Sequence, residues 1–266
     1  MEHSITLVIF TFLSQLAIGA FAALFLIETY KQNLNKRSSF ISLMAIVGLS
    51  VVAVIVSVFH LGHPFHAYKA LLNFAHSWLS REIVFFPLFI LLVLMYTFVA
   101  KTEKMKQVTG WVAIVIGAIT IVCTAMIYTI PAVPGWHNGM TLAAFFMTAL
   151  LLGPVFIQFL LSVLEGKLVN FSLYTAVVSG MAILLNALYI SVTNGGFAEA
   201  VETSVLLTSS PLFWVKIALL VLGFGMAVFA IVKKANSTVS VAIIFFGFVV
   251  AEFIGRILFY STGVHL

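Results

Sequence analysis

The sequence contains no aspartate, a single cysteine (Cys123) and only 8% charged residues. Without aspartate there is no Ser-His-Asp triad and no Asp-rich calcium or magnesium loop. One cysteine forms no intrachain disulfide and falls short of the four thiolates that an iron–sulfur cluster normally needs. Cys123 sits inside an apolar run, where it reads as a small buried hydrophobe. Neither a G-x-x-x-x-G-K-[ST] loop nor a G-x-G-x-x-G following a strand occurs, so nucleotide chemistry has no support. With so few charges against 63% hydrophobic residues, the protein could not cover its own surface in water. Most of it must be solvated by lipid.

What is present is a series of long apolar runs, each near the roughly 20 residues that span a bilayer as helix. The expected spans are 4–28, 40–62, 81–100, 110–130, 139–164, 170–192, 212–232 and 239–260. The runs lack the period-two alternation of barrel strands. The fold class expected is therefore an all-α integral membrane protein, a bundle of about eight transmembrane helices. It forms a single polytopic domain over residues 1–266. The start, Met1-Glu2-His3, has no basic n-region and no A-x-A site follows a short apolar core, so the first run is expected to be a retained span.

The net charge of +5 does not point to nucleic acid, because the basic residues occupy short connections. Lys31, Lys36, Arg37, Lys101, Lys104, Lys106, Lys167, Lys233 and Lys234 fall on one side by the alternation of spans. The other side has Lys69 and Arg81, with Lys216 just inside the seventh span. The positive-inside rule then places both termini outside, which in a bacterium is the periplasm.

Polar residues with chemical potential gather on that outer side. The stretch from Phe59 to Glu82 puts His60 in the last turn of span two and Glu82 in the first turn of span three. His63, His66, Lys69 and Arg81 lie between them, and residues 65–75 are expected to form a short interfacial helix. Gly62 and Pro64 end the second span. A histidine and a carboxyl at the rim of the lipid are suited to take protons from a lipid-soluble substrate. The connection from Tyr128 to Asn138 is rigid and aromatic, with Trp136 expected in the interfacial belt. Glu252 and Arg256, at i,i+4 in span eight, are expected to form an ion pair inside the bundle, with ligand contact as the second reading. Gly153-Pro154 marks a candidate kink in span five.

None of the seven histidines lies mid-span, so no haem is expected. No metal is expected either, because Pro64 interrupts the helix that would align His60, His63 and His66.

Several blocks, in order, resemble the membrane-anchor subunit of dimethyl sulfoxide reductase, the DmsC family. They are His60-Leu-Gly-His-Pro-Phe-His-Ala-Tyr-Lys-Ala-Leu, then Leu79-Ser-Arg-Glu82-Ile and Val133-Pro-Gly-Trp136. Phe145-Phe-Met-Thr leading to Gly153-Pro154 follows, and Glu252-Phe-Ile-Gly-Arg256-Ile-Leu-Phe-Tyr260 closes the set. The resemblance implies an anchor that binds menaquinol, carries neither haem nor an iron–sulfur cluster, and passes electrons to an iron–sulfur subunit joined to a molybdopterin catalytic subunit. In the family, the histidine and glutamate matching His60 and Glu82 are associated with quinol binding and oxidation. Arg81, Lys69, Trp136 and Arg256 are then expected at the quinol pocket or its rim. The sequence departs from the family at His66, where an arginine is common, so no role carries over to that position. Two alternatives remain open: a polysulfide-reductase-type (NrfD-like) quinone-interacting anchor, and a small-solute transporter without a redox partner.

Overall fold

The computed structural model describes residues 2–31, 34–60, 73–166, 170–233 and 237–266, with the backbone alone at residues 2–4, 31, 59 and 60. Within a bilayer every backbone N–H and C=O must be satisfied internally, so continuous apolar runs fold as helices. Among the described residues the helices are α1 (Glu2–Lys31), α2 (Lys36–His60), α3 (Trp78–Leu94), α4 (Glu103–Tyr128) and α5 (Gly139–Glu165). They continue with α6 (Ser172–Asn194), α7 (Ala198–Ser209), α8 (Pro211–Lys233) and α9 (Thr238–Ser261). Eight of them, all but α7, are long and apolar enough to cross a membrane. The expected spans match to within a few residues, except that α4 begins seven residues earlier, at Glu103. Thr102 caps it there, its hydroxyl accepting from the Met105 N–H at 3.2 Å. The short helix α7 lies in a stretch that reads in sequence as a connection between spans.

Helix ends follow local chemistry. Ser77 caps α3, Asn138 caps α5 and Ser237 closes a capping box on α9. Gly166 ends α5 at φ 62°, a left-handed conformation that glycine adopts without steric penalty. α3 continues into a π-helix over Met95–Val99. α5 runs unbroken through Pro154.

Packing divides the bundle into two groups, α1–α4 and α5, α6, α8, α9, joined along α1 and α5. α1 is the central helix: 78% of its apolar window is buried, against 22% for α8. At the seam small residues let backbones meet. A Cβ on Gly153 would come within 2.5 Å of the Gly19 Cα, and one on Gly19 within 2.7 Å of the Ala149 carbonyl carbon. So Gly153 serves close approach of the two helices.

Many hydroxyl residues turn inward and bond back to their own helix, as Ser50 does to the Ile46 carbonyl at 2.9 Å. Large apolar side chains such as Leu184, Trp214 and Val232 point outward. That inversion suits a lipid solvent, because inside the bundle association depends on close packing and hydrogen bonds.

Candidate functional site

Both termini lie at one end of the bundle, and two buried polar clusters sit at that end. The first is built on α3 and α4. Ser77 starts α3, so Glu82 falls in its second turn and faces inward, only 6% exposed. Its carboxylate accepts a hydrogen bond from the Thr124 hydroxyl, which also reaches the Thr120 carbonyl at 3.0 Å. No ion pair to Glu82 occurs among the described residues. Arg81, next in sequence, points the other way. Its guanidinium donates to the Phe74 and Ala75 carbonyls at 3.1 and 2.7 Å and lies 4.3 Å over the Trp78 ring. Arg81 thus fastens the connection before α3 and leaves Glu82 with a hydroxyl partner. A carboxyl in that setting is available for proton exchange with a bound group.

One turn beyond Thr124, Tyr128 packs against Tyr260 of α9 at 5.2 Å between ring centroids, and the Tyr260 hydroxyl lies 3.5 Å from that of Thr11. Gln15, one turn along α1 from Thr11, is 1% exposed and accepts from Arg256 through its side-chain oxygen. Its side-chain NH2 has no hydrogen-bond partner among the described residues. A buried donor left in this state is costly unless a ligand supplies the acceptor.

The second cluster lies between α5, α6, α8 and α9. Arg256 and Glu252 do not form the direct ion pair that their spacing suggests. Thr148 stands between them: it accepts from Arg256 Nη2 at 3.0 Å and donates to Glu252 Oε2 at 2.6 Å. The reason is lateral: Arg256 is drawn toward Gln15 and over the Phe145 ring, 3.8 Å from its centroid. Lys216 donates to Asn186 Oδ1 at 2.9 Å. Thr148, Asn186, Tyr189, Lys216, Glu252 and Arg256 line a cavity of about 90 Å³, room enough for several waters.

Trp136 is not an interfacial belt residue. It is 9% exposed, stacked on Phe259 at 4.8 Å, and its indole N–H donates to the Phe259 carbonyl at 3.1 Å. The connection around it is tied down by Thr141 to the Trp136 carbonyl at 2.7 Å and by Tyr189 to the Gly135 carbonyl at 3.0 Å. Trp136, Tyr128, Phe145 and Phe259 form an aromatic lid over the end of the bundle. The expected site residues therefore separate: Glu82 is inside the bundle, Trp136 and Arg256 border the Tyr128–Tyr260 pair, and Arg81 faces away. His60 closes α2, but its side chain lies outside the described residues, as do Lys69, His63, His66 and most of the 65–75 helix. Residues 73–76 form a turn.

Gln15, Thr124, Tyr128 and Thr148 were not singled out from the sequence as site residues. The signal available was weak: single polar residues inside apolar runs, of which only Gln15 is out of the ordinary for a span.

Buried titratable groups inside a bundle of spanning helices define a polytopic membrane protein with a polar site near one membrane face. The protein belongs to the DMSO reductase anchor subunit (DmsC) family, whose pattern it matches over residues 1–262. It is 30% identical to the YnfH chain of an Escherichia coli anaerobic dimethyl sulfoxide reductase, across 99% of this sequence and 95% of that one. A chain of the Haemophilus influenzae anaerobic dimethyl sulfoxide reductase is 30% identical over 57% of this sequence and 56% of its own. A sulfite dehydrogenase subunit of Allochromatium vinosum is 33% identical over a shorter stretch, 39% of this sequence and 35% of that one.

Proposed function

We propose that this protein is the quinol-oxidising membrane anchor of a dimethyl-sulfoxide-reductase-like complex in the bacterial cytoplasmic membrane. A menaquinol taken from the lipid gives up two electrons and two protons. The electrons pass to an iron–sulfur subunit and on to a molybdopterin catalytic subunit. The protons go to Glu82 and His60. The observation that carries the reading is Glu82 itself, a buried carboxyl inside a span with a threonine hydroxyl and no cation paired to it among the described residues. Gln15 supports it, because its buried amide NH2, without a partner among the described residues, is a donor suited to a quinol or quinone oxygen. Tyr128 and Tyr260 supply the aromatic walls against which such a ring packs.

Both termini face the periplasm in this reading, since the basic residues cluster at the opposite end of the bundle. A second polar centre lies toward that opposite end, where Glu28 accepts from Ser39 and Tyr96. Glu82 and Tyr96 are about 21 Å apart along α3 at 1.5 Å per residue. The space between them is filled by Phe86, Phe89 and Phe21, packed edge to face or stacked. A dry aromatic column of that kind favours release of both protons outward, so quinol oxidation here separates little charge.

The test is quinol-dependent turnover by the assembled complex carrying Glu82→Gln or His60→Ala. General acid–base groups contribute on the order of a hundredfold or more, and each variant is expected to lose at least that. Co-purification of the partner subunits serves as the control for assembly. Normal turnover in both variants would sink the assignment.

A further inference from the structure

A lateral apolar groove of about 390 Å³ lies between α1, α4 and α5, and nothing in the site above uses it. Its floor is α1, and its walls are α4 and α5. Small side chains open it, Ala22 on the floor and Ala118 on a wall, beside the Gly19–Ala149 seam. From Ile18 to Tyr30 the floor extends roughly 18 Å at 1.5 Å per residue. Along most of that length only carbon is presented, and the Tyr174 hydroxyl at its far end is already engaged by the Leu150 carbonyl at 2.7 Å. Leu26, Tyr30 and Leu150 are exposed, so the groove opens sideways into lipid. Its other end reaches Ile121 and Phe146. Ile121 is one helical turn from Thr124, the residue that holds the Glu82 carboxylate, and Phe146 adjoins Phe145 of the aromatic lid.

We infer that this groove seats the isoprenoid tail of the quinol, leading from the lipid toward the Glu82 site. The inference rests on the quinol reading above and extends it to the part of the substrate that carries no chemistry. In hydrocarbon the occupant of an apolar groove is an apolar tail, and two kinds compete for it: that of a phospholipid and that of the quinol. Polar groups one helical turn beyond the groove's inner end, outside its lining, decide between them. Thr124 and Glu82 are 2% and 6% exposed, sunk within the bundle. A charged phospholipid headgroup stays at the membrane surface, where it keeps its water. An uncharged quinol ring can be buried, and a single tail behind it continues along the floor of α1.

A tail is no more apolar than the lipid it leaves, so the groove orients and holds it by close packing rather than by a hydrophobic driving force. The effect belongs in KM. The experiment compares a tail-less naphthoquinol (menadiol) with a long-tailed menaquinol as donors to the complex in nanodiscs. Ala118→Leu and Ala22→Leu, each of which fills the groove, are expected to raise KM for the long-tailed donor on the order of five-fold, as a loss of about 1 kcal/mol would. KM for menadiol is expected to stay near wild type, which also shows that the variants are folded. Ala118→Val, a smaller intrusion, is expected to give a smaller shift. Equal shifts for both donors, or no shift for either, would overturn the inference and assign the groove to lipid. A wild-type complex that oxidises neither donor would instead overturn the quinol reading itself.

Discussion

The crossing of α1 and α5 is where a single methyl group does most damage. Gly153→Ala would set its Cβ 2.5 Å from the Gly19 Cα, and the neighbouring obstacles are also backbone atoms of Gly19 and Ala20. Carbon atoms in contact sit about 3.5–4.0 Å apart, so the two helices must part by at least roughly 1 Å. A gap of that size forfeits up to about half of the attraction between the atoms it separates. Because α1 is the central helix, the loss spreads along the joint between both helix groups. Overpacking of this kind costs about 1–3 kcal/mol, and here no flexible side chain can yield. Gly225 and Gly247, on α8 and α9, provide the comparison: a Cβ at either meets no atom within 4 Å. Alanine there is expected to be neutral, or stabilising by up to about 1 kcal/mol through helix propensity. The assay is loss of helical signal as the micelle fraction of dodecyl sulfate rises. Gly153→Ala is expected to unfold at markedly lower dodecyl sulfate, and Gly225→Ala at or above the wild-type point. If Gly153→Ala were as stable as Gly225→Ala, the assignment of this crossing as the tightest in the bundle would be refuted.

Other substitutions probe the polar clusters. Arg256→Met strips Gln15, Thr148 and Glu252 of their cation, and breaking a buried charge arrangement from one side costs about 3–5 kcal/mol. Adding Glu252→Gln is expected to recover a good part of that loss in the same unfolding assay; no recovery would mean that Glu252 and Arg256 are not coupled through Thr148. Trp136→Phe keeps the stack on Phe259 but removes the indole N–H, so a loss of about 1 kcal/mol is expected, whereas Trp136→Ala should cost about 3–5 kcal/mol. Equal effects from the two would show that the hydrogen bond, rather than the buried ring, holds the lid. Thr124→Val leaves Glu82 without its hydroxyl partner and is expected to lower quinol turnover while the complex still assembles; unchanged turnover would dissociate Thr124 from the site.

The residues of the second cluster show where pattern stops being informative. Spacing put Glu252 and Arg256 on one helix face, which is correct, and suggested a direct pair, which is not. The deciding groups, Thr148 on α5 and Gln15 on α1, are far away in sequence. Trp136 likewise has the composition of a belt residue, yet its ring is enclosed because Phe259 and the C-terminal segment fold back over it, with the Leu266 N–H donating to the Ala132 carbonyl at 3.0 Å.

The sequence by itself determined the solvent, the number of spans and their helical character, and the end of the bundle at which Glu82 would be found. These follow from local properties: the length of apolar runs, the absence of alternation, and the placement of charge between them. Only the tertiary structure decided which helix is central, that Gly19 and Gly153 make the joint, and that Glu82 meets Thr124 instead of Arg81. It alone brought the Gln15 amide to Arg256 at the polar end of the bundle and opened a groove along α1. In lipid, the outer surface and the interior of the bundle are both apolar, so hydropathy carries no record of which face turns inward. Contacts among small and hydroxyl-bearing residues settle that, and they exist only once the helices have packed.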